Sequence, residues 1–345
     1  MKEQYEVTIG IPVYQSVDYI QDTMNSALDQ SFPDIEFLIV DDRGNDGTMD
    51  VISHFQTSHP RGNDIRILVN EKNKGVSYSR NRIIEEARGR FLYFMDSDDT
   101  IEPNTIQLLY DAIILHHVQV AYGSYEIIDG IGNSPNEVYQ KDALVLRGED
   151  ELAMYAFKNN HIFHVSACNH LISLEFLRQS NVRFIDASYW EDMAYTTELV
   201  TKNSSAVLLP DITYHYYRHS GSLSHYQVRS AYEKKEIMKN VSVIQLLKDK
   251  CATLCGKDYL PYLCYNLEMN SFYVVCHIWK NSNKINPKMK KIEMQKILQH
   301  PVGLNSILKF NQKKLSNLCF WLLGKIPILL FVLSIWIVGK QKHIL

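Results

Sequence analysis

Short apolar runs alternate with segments of helical periodicity through the first hundred residues. Four nearly unbroken apolar runs predict strands, at Val7–Pro12, Glu36–Val40, Ile65–Val69 and Phe91–Met95. Between them, apolar residues at helical spacing predict helices over Val17–Gln30, Gly47–Thr57 and Gly75–Ala87. Apolar strands that alternate with helices are typical of parallel sheets covered on both faces. The pattern therefore predicts an α/β fold built on a parallel sheet.

The rest of the chain divides into a mixed region and a helical one. The mixed region is expected to contain a helix near Pro103–His117, a strand near Val118–Tyr125, a helix opening at Trp190 and a tyrosine-rich strand at Thr213–Arg218. From Ala231 onward the pattern predicts helices with many lysines. We therefore expect a body over 1–230 with halves of about 5–102 and 103–230, a basic helical region over 231–314 and a hydrophobic segment over 315–340.

The net charge of −3 conceals two regions of opposite sign. Residues 1–230 carry 18 Lys and Arg against 33 Asp and Glu, a net charge of −15. Residues 231–345 carry 18 Lys and no Arg against 6 Asp and Glu, a net charge of +12. A basic region of this kind indicates an anionic partner, either a nucleic acid or an anionic membrane leaflet.

Acidic residues cluster where two of the predicted strands end. Asp41 and Asp42 follow the second strand, and Asp96, Asp98 and Asp99 follow the fourth. In open parallel sheets, ligands bind beyond the carboxyl ends of the strands. Crowded carboxylates repel each other, and a bound Mg²⁺ or Mn²⁺ removes that repulsion. The spacing fits equally well a cap, in which Asp98 or Asp99 accepts hydrogen bonds at the start of the helix near Pro103.

Five ordered blocks give these clusters a context. They read IGIPVY at 9–14, DQSF at 29–32, IVDD at 39–42 followed by NDGT at 45–48, NKGVSYSRN at 73–81 and FMDSDD at 94–99. Together they closely resemble the family 2 glycosyltransferases, over about residues 5–225. Arg43 departs from the family, which commonly has Gly at that position. The resemblance implies the GT-A fold, a Rossmann-like, mixed and mostly parallel sheet with helices on both faces, here followed by an α-helical C-terminal region. It also makes 5–102 the nucleotide-sugar half and 103–230 the acceptor half.

The resemblance implies a set of donor-binding residues. In the family, a Pro-x-Tyr lies against the base, paired acids bind the base and ribose, and two later positions approach the nucleotide. The matching residues are Pro12, Tyr14, Asp41, Asp42, Asn73 and Arg80. Asp96 and Asp98 match the family's D-x-D metal site, with Asp98 as the direct ligand of Mn²⁺ or Mg²⁺ and Asp96 nearer the ribose. A cation across the diphosphate stabilises the charge of the leaving group.

The resemblance also implies a catalytic pair, Glu191 and Asp192. They match a Glu-Asp pair at the start of an acceptor-side helix, where the Asp is the base that deprotonates the acceptor hydroxyl. One in-line displacement then inverts the anomeric centre, and a general base typically contributes about 10²–10⁴-fold. Considered alone, the two acids fit a helix N-terminus better, because the helix dipole stabilises negative charge there. The nucleotide-sugar blocks that precede them favour the catalytic role instead.

A weaker resemblance covers HYYRHSGSLS at 215–224. In the family, an aromatic strand leads here into a polar loop that closes over the diphosphate. Arg218 suits pairing with a phosphate, and a histidine of this stretch could complete the metal shell. A solvated turn is the alternative.

The stretch Leu318–Val338 is the most hydrophobic of the chain. A membrane span needs about 20 apolar residues, but Lys325 and Pro327 interrupt this one. Lysines flank both ends, and positive residues stay on the cytoplasmic side. We therefore expect a peripheral or interfacial anchor on the cytoplasmic side of the cell membrane, with a helix packed on the catalytic domain as the alternative. We expect no secretion, since Met1–Tyr5 run straight into the first predicted strand, and we expect the six cysteines to be buried, reduced thiols.

These features predict a hexosyl- or N-acetylhexosaminyltransferase of the inverting type. It would move a sugar from a nucleotide-sugar, specifically a UDP-sugar, to a hydroxyl of a glycan or lipid-linked acceptor in surface polysaccharide synthesis. The alternative is a non-catalytic nucleotide-sugar or glycan-binding module of the same fold. Nucleic-acid binding is disfavoured because no Arg follows Arg229. A dinucleotide-dependent oxidoreductase is disfavoured because IPVY follows the first strand in place of G-x-G-x-x-G.

Overall fold

The computed structural model describes residues 4–129, 135–159, 163, 166–187, 190–219 and 231–341. The described residues form two units. The first unit lies within residues 1–152, 161–186 and 191–222, and the second within 153–160, 187–190 and 223–345.

Ten strands of the first unit form one sheet. They are β1 (Tyr5–Val13), β2 (Ile35–Asp41), β3 (Ile65–Val69), β4 (Gly89–Phe94), β5 (Thr100–Ile101), β6 (Val120–Asp129), β7 (Glu137–Tyr139), β8 (Leu144–Leu146), β9 (His170–Ser173) and β10 (Ala206–Arg218). The strand order is β3-β2-β1-β4-β9-β6-β10-β5, with β7 beside β6 and β8 beside β10. The pairs among β3, β2, β1 and β4 are all parallel, as is the pair of β6 and β10. The remaining pairs are antiparallel, so the sheet is mixed, as predicted.

The helices follow the strands in the expected alternation. They are α1 (Ile20–Leu28), α2 (Thr48–Ser58), α3 (Val76–Glu86), α4 (Thr105–His116), α5 (Glu151–Lys158), α6 (Leu174–Gln179) and α7 (Glu191–Lys202). Helix α3 packs so closely on β1 that a Cβ at Gly10 would collide with Ile83. This close approach sets the position of α3 relative to the parallel strands.

The predicted elements of the first half are present, with small differences at their ends. β3 has the predicted bounds, whereas α1 is shorter than the predicted Val17–Gln30. A turn precedes α1, because the backbone amides of Tyr19 and Ile20 both donate to the carbonyl oxygen of Ser16. β10 begins at Ala206, seven residues before the predicted start, and contains register shifts between Leu208 and Tyr214.

The second unit is mainly helical. Its further elements are α8 (Lys234–Lys250), α9 (Leu260–Lys280), α10 (Lys291–Ile297), α11 (Leu304–Leu308), α12 (Lys314–Leu323) and α13 (Ile328–Gln341), with a two-stranded sheet of β11 (Tyr232–Glu233) and β12 (Ile285–Asn286). A buried ion pair joins α8 to α9, since Lys248 Nζ lies 2.6 Å from Glu268 Oε1. Lys248 Nζ also donates to the carbonyl oxygens of Ile297 and Gln299.

The hydrophobic segment forms two helices rather than one. α12 ends at Leu323 and α13 begins at Ile328, so the break falls where Lys325 and Pro327 predicted it. Phe331 and Ile335 of α13 are fully buried in the core of the second unit. No helix formed by the described residues combines the length and the hydrophobicity that crossing a bilayer requires. All six cysteines are free thiols, but Cys255 and Cys319 are exposed, contrary to the expectation that all are buried.

Candidate active site

The carboxyl ends of β1, β2 and β4 meet at one edge of the sheet. Val13 pairs with Asp41, and Gly10 pairs with both Leu38 and Phe94, so the segments that follow these strands are neighbours. The segments are also hydrogen-bonded to each other. Ser16 follows β1, and Ser97 is the middle residue of the D-x-D. The Oγ atoms of these two serines lie 2.6 Å apart. The structure therefore brings the predicted base-binding segment next to the predicted metal segment.

Pro12 and Tyr14 stand at the end of β1. Pro12 is buried and paired with Val40, whereas the ring of Tyr14 is exposed. The backbone amide of Val17 donates to Asp46 Oδ2 at 3.0 Å, which fixes the loop after Tyr14 against the loop after β2. An exposed aromatic ring on a fixed loop can stack against a planar base.

The two acids after β2 have different surroundings. Asp42 is buried, and its carboxylate accepts hydrogen bonds from the amides of Lys74 (2.8 Å) and Gly75 (2.7 Å) and from Asn70 Nδ2 (2.7 Å). Asp41 accepts one hydrogen bond, from the amide of Arg43, and its other oxygen has no partner among the described residues. Asp41 therefore retains a free acceptor, whereas Asp42 fixes the start of α3.

Asn70 is a site residue that sequence reasoning missed. It directly follows β3, is buried, and contacts both Asp42 and Ser79 Oγ. Asn73, the predicted residue, lies on the exposed loop between β3 and α3. The rule that ligands bind beyond strand ends applies to β3 as well as to β2 and β4, and it would have identified Asn70.

Arg80 joins three carboxylates. Its Nη1 lies 2.8 Å from Asp192 Oδ1 and 3.2 Å from Glu191 Oε1, and its Nη2 lies 2.8 Å from Asp96 Oδ1. Burial disfavours the charged guanidinium, but Asp192 and Asp96 more than offset this, so the pKa of Arg80 lies well above its ordinary value. One side chain thus links the D-x-D segment to the predicted catalytic pair.

The three aspartates after β4 have separate roles. Asp96 contacts Arg80, Asp98 Oδ2 lies 2.8 Å from His219 Nε2, and Asp99 accepts hydrogen bonds from Tyr214 Oη and the Tyr217 amide. Neither Asp98 nor Asp99 caps a helix, because α4 begins after Asn104 without a side-chain cap. The capping alternative for this cluster is therefore wrong.

Asp98 lies near a second carboxylate, Asp96, and an imidazole, His219, which are donor types that divalent cations bind. Burial and the nearby charge of Asp96 raise the pKa of Asp98, so a cation would stabilise its ionised form. The side chains of Asp96 and Asp98 remain about 30% exposed, at 30% and 29%. His219 approaches Asp98, whereas both ring nitrogens of His215 face glutamates, Glu102 and Glu126, at 2.8 Å. Within the described part of the chain, no group of three or more His, Cys, Asp or Glu is arranged to hold a metal ion.

Glu191 and Asp192 open α7, so they do occupy a helix N-terminus. They also carry the contacts with Arg80, which the helix dipole alone does not explain. The side chain of Asp192 is 25% exposed and that of Glu191 only 10%. Burial raises the pKa of Asp192 to about 7, although the charge of Arg80 opposes the rise. A carboxylate with a pKa near neutrality is suited to accept a proton.

Arg218 does not contact the aspartates of the D-x-D. Its Nη1 lies 2.9 Å from Glu137 Oε1. Both side chains are more than a third exposed, at 35% and 41%. The polar loop predicted to follow it, at residues 220–224, lies outside the described residues. A cavity of about 470 Å³ lies elsewhere on the first unit, beside β5 and β10, and none of Asp41, Asp96, Asp98 or Asp192 lines it.

Comparisons with known proteins identify the family to which the chain belongs. Residues 8–180 match the model of the family described as glycosyl transferase family 2. Over 145 residues the chain is 31% identical to the putative teichuronic acid biosynthesis glycosyltransferase TuaG of Bacillus subtilis, covering 40% of this chain and 56% of that protein. Over 127 residues it is 32% identical to the Escherichia coli UDP-Glc:alpha-D-GlcNAc-diphosphoundecaprenol beta-1,3-glucosyltransferase WfgD, covering 37% and 48%. The chain thus spans about half the length of these curated relatives.

Two solved structures share the fold. The Staphylococcus aureus TarS 1–349 complex with UDP-GlcNAc superposes with a TM-score of 0.68 at 17% identity, covering 93% of this chain and 90% of that one. Mannosyltransferase PcManGT from Pyrobaculum calidifontis, in complex with GDP-Man and Mn²⁺, gives a TM-score of 0.53 at 12% identity, with coverage of 94% and 88%. The predicted GT-A-like fold is confirmed.

Proposed function

The chain belongs to glycosyl transferase family 2, and we propose that it transfers one sugar from a UDP-sugar to a hydroxyl of a glycan or lipid-linked acceptor, with inversion. The observation that carries the proposal is the position of Arg80. Its two terminal nitrogens contact Asp96, which we assign to the donor site, and Asp192, the proposed base. The proposed donor residue and the proposed base therefore lie next to each other, and such proximity favours a single displacement between two bound reactants.

The donor that we propose is a UDP-sugar. Tyr14 offers an exposed ring for the base, at the end of the strand that contains Pro12. Asp41 offers a free carboxylate oxygen to the base or ribose, while Asp42 acts on the nucleotide only through the loop that includes Asn73. The uridine choice is supported by the names of similar proteins, since WfgD is named for UDP-Glc and TarS was solved with UDP-GlcNAc.

The cofactor that we propose is Mn²⁺ or Mg²⁺, held by Asp98 and Asp96 with His219 beside Asp98. When bound, such an ion neutralises the charge that develops on the departing diphosphate. PcManGT, which shares the fold, was solved with Mn²⁺. Arg218 is proposed to reach the diphosphate. Its partly exposed pair with Glu137 costs little to exchange for a phosphate, because solvent screens exposed ion pairs.

The base that we propose is Asp192. Its partly exposed oxygen accepts the proton of the acceptor hydroxyl as that oxygen attacks the anomeric carbon. Arg80 Nη1 donates a hydrogen bond to the Asp192 carboxylate, which holds it in one orientation. The same nitrogen donates a second hydrogen bond to Glu191, which holds the guanidinium in place. Because the displacement occurs once, the anomeric configuration is inverted.

The names of the relatives and the charge of the chain support the acceptor class and the location that we propose. WfgD is named for a diphosphoundecaprenol-linked acceptor and TuaG for teichuronic acid biosynthesis. We therefore propose a role in surface polysaccharide synthesis at the cytoplasmic side of the cell membrane, with peripheral attachment. The net charge of +12 on residues 231–345 supports attachment to an anionic partner, and the absence of Arg after Arg229 favours an anionic leaflet over a nucleic acid.

The reaction is tested by incubating the full chain with a panel of UDP- and GDP-sugars and measuring the released nucleoside diphosphate. We expect release from a UDP-hexose or UDP-N-acetylhexosamine, loss of release with EDTA, and recovery with Mn²⁺ or Mg²⁺. Asp98→Asn should lower metal-dependent release by at least about tenfold, whereas the exposed Asp111→Asn should not change it. Donor binding without release, with lipid-linked and soluble glycan acceptors supplied, would identify a non-catalytic module instead.

A further inference from the structure

The last helix of the second unit has two apolar faces with different environments. Phe331 and Ile335 are fully buried in the core of that unit. Five other apolar side chains of the same helix are between 41% and 77% exposed: Leu329, Leu330, Leu333, Trp336 and Ile337. At 3.6 residues per turn these five fall on one side of α13. A contiguous exposed face of this kind marks an interaction surface.

Helix α12 repeats the arrangement. Leu315 and Leu322, two turns apart, are exposed, while Phe320 and Leu323 pack against the same core. Only residues 324–327 separate the end of α12 from the start of α13. We refer to Leu315, Leu322 and the five exposed side chains of α13 as the apolar face.

The stretch of sequence that carries the apolar face has charged residues of one sign. Glu293 is the last acidic residue of the sequence, and the residues after it include seven lysines, a net charge of +7. Four of these lysines are exposed and precede, begin or separate the two helices: Lys309, Lys313, Lys314 and Lys325. A second copy of the chain would bring the same positive charge against itself, so charge complementarity disfavours self-association through this face.

We propose that the apolar face inserts into the headgroup region of an anionic lipid bilayer, with the lysines against lipid phosphates. The lengths of the helices agree with an orientation in the membrane plane. α13 has 14 residues, or about 21 Å, and α12 has 10, against a hydrocarbon core of about 30 Å. Leu-rich and Trp-bearing faces flanked by lysine are typical of interfacial helices, and Trp336 suits headgroup depth.

This inference deepens the proposed location of the enzyme and does not depend on the transfer reaction. It identifies the attachment surface as α12 and α13, with their buried faces holding them to the second unit. Attachment would therefore need no refolding, because Phe331 and Ile335 stay in the core while the opposite face enters the lipid.

The test is co-sedimentation of the full chain with vesicles of phosphatidylcholine alone or with phosphatidylglycerol added. We expect binding to the anionic vesicles, at least tenfold weaker binding to the zwitterionic ones, and weakening by high salt. Leu329→Gln with Leu333→Gln, and separately Lys314→Gln with Lys325→Gln, should each lower the partition coefficient roughly tenfold or more. Leu115→Gln, at an exposed apolar position of α4, and Arg90→Gln are the matched controls.

Circular dichroism confirms that each variant is folded, and analytical ultracentrifugation without lipid measures its association state. Equal binding of the wild-type chain to both vesicle types, or unchanged binding of both double variants, would overturn the proposal. A stable dimer that the leucine variant dissociates would also overturn it, because the face would then be covered by a second copy. Release of nucleoside diphosphate with a soluble acceptor should be unchanged in these variants, which separates failure of this proposal from failure of the proposed reaction.

Discussion

Arg80 is the residue on which the arrangement of the candidate site depends most. The sequence identified it only as a position that approaches the nucleotide. In the structure, its partners are Asp96, 16 positions away, and Glu191 and Asp192, 111 and 112 positions away. No local pattern could have paired these residues, because the pairing depends on how the sheet brings α3, the end of β4 and the start of α7 together.

The raised pKa of Asp192 gives a prediction for the pH dependence. Because the base must be ionised to accept a proton, transfer should rise with pH through about 7 and level off above it. Arg80→Gln removes a positive charge that favours the ionised carboxylate, so the rise should move to higher pH by about one unit or more. The measurement is kcat/KM against pH for both proteins, with Arg90→Gln as the control.

An unchanged midpoint in Arg80→Gln, with only the plateau lowered, would contradict the proposed influence of Arg80 on Asp192. The control keeps the wild-type profile because Arg90 is an exposed side chain that contacts Glu6 at 3.7 Å and none of the site residues. A shift of the pH midpoint in Arg80→Gln but not in Arg90→Gln therefore reports the effect of the Arg80 charge on the pKa of Asp192.

At the level of elements, the alternating pattern predicted most of the parallel part of the sheet correctly. β1, β2 and β4 are buried nearly along their whole length, so their apolar runs are nearly unbroken and easy to recognise. β3 is buried only at Ile65 and Arg66, but its run is short and still mostly apolar. The antiparallel part was predicted less well. β7 and β8 have three residues each, which is too few to show a periodicity. The first half of β10 was not predicted as a strand, because it contains Pro210 and two register shifts.

The start of α3 explains why two adjacent aspartates differ. Asp42 accepts hydrogen bonds from two backbone amides of the turn before α3 and from Asn70, and Gly75 supplies the positive φ of 87° that the turn requires. Asp41 and Asp42 match the family pattern equally well. The sequence does not indicate which of the two carboxylates already accepts several hydrogen bonds from other residues of the chain. Asp42 is a positioning residue for the helix that bears Arg80.

A matched pair of variants tests this difference. Asp42→Asn turns an NH₂ group toward backbone N–H donors, so it should lower the free energy of unfolding by about 1–3 kcal/mol. Asp41→Asn keeps an oxygen for the Arg43 amide, so it should change stability by less than about 1 kcal/mol and weaken UDP-sugar binding instead. Urea denaturation and calorimetric titration with UDP measure the two effects. Equal losses of stability in both variants would contradict the assignment.

At the scale of the whole molecule, the sequence revealed the difference in charge between the regions but not how the chain divides into units. Residues 153–160 and 187–190 belong to the second unit although they lie among residues of the first. Segments this short carry no compositional signal. They belong to the second unit because of contacts with residues about a hundred positions later in the chain, such as the contact between the rings of Phe157 and Tyr259. The boundaries proposed at 230 and 314 remain predictions.

We propose that Asp192 acts as the base beside a donor site held by Asp41, Asp96 and Asp98. The decisive experiment measures donor affinity and transfer in Asp192→Asn, with Asp111→Asn as the control. We expect UDP-sugar binding within about twofold of wild type and a kcat lower by at least about 10²-fold. Transfer by Asp192→Asn at a rate close to that of the wild-type chain would contradict the proposal.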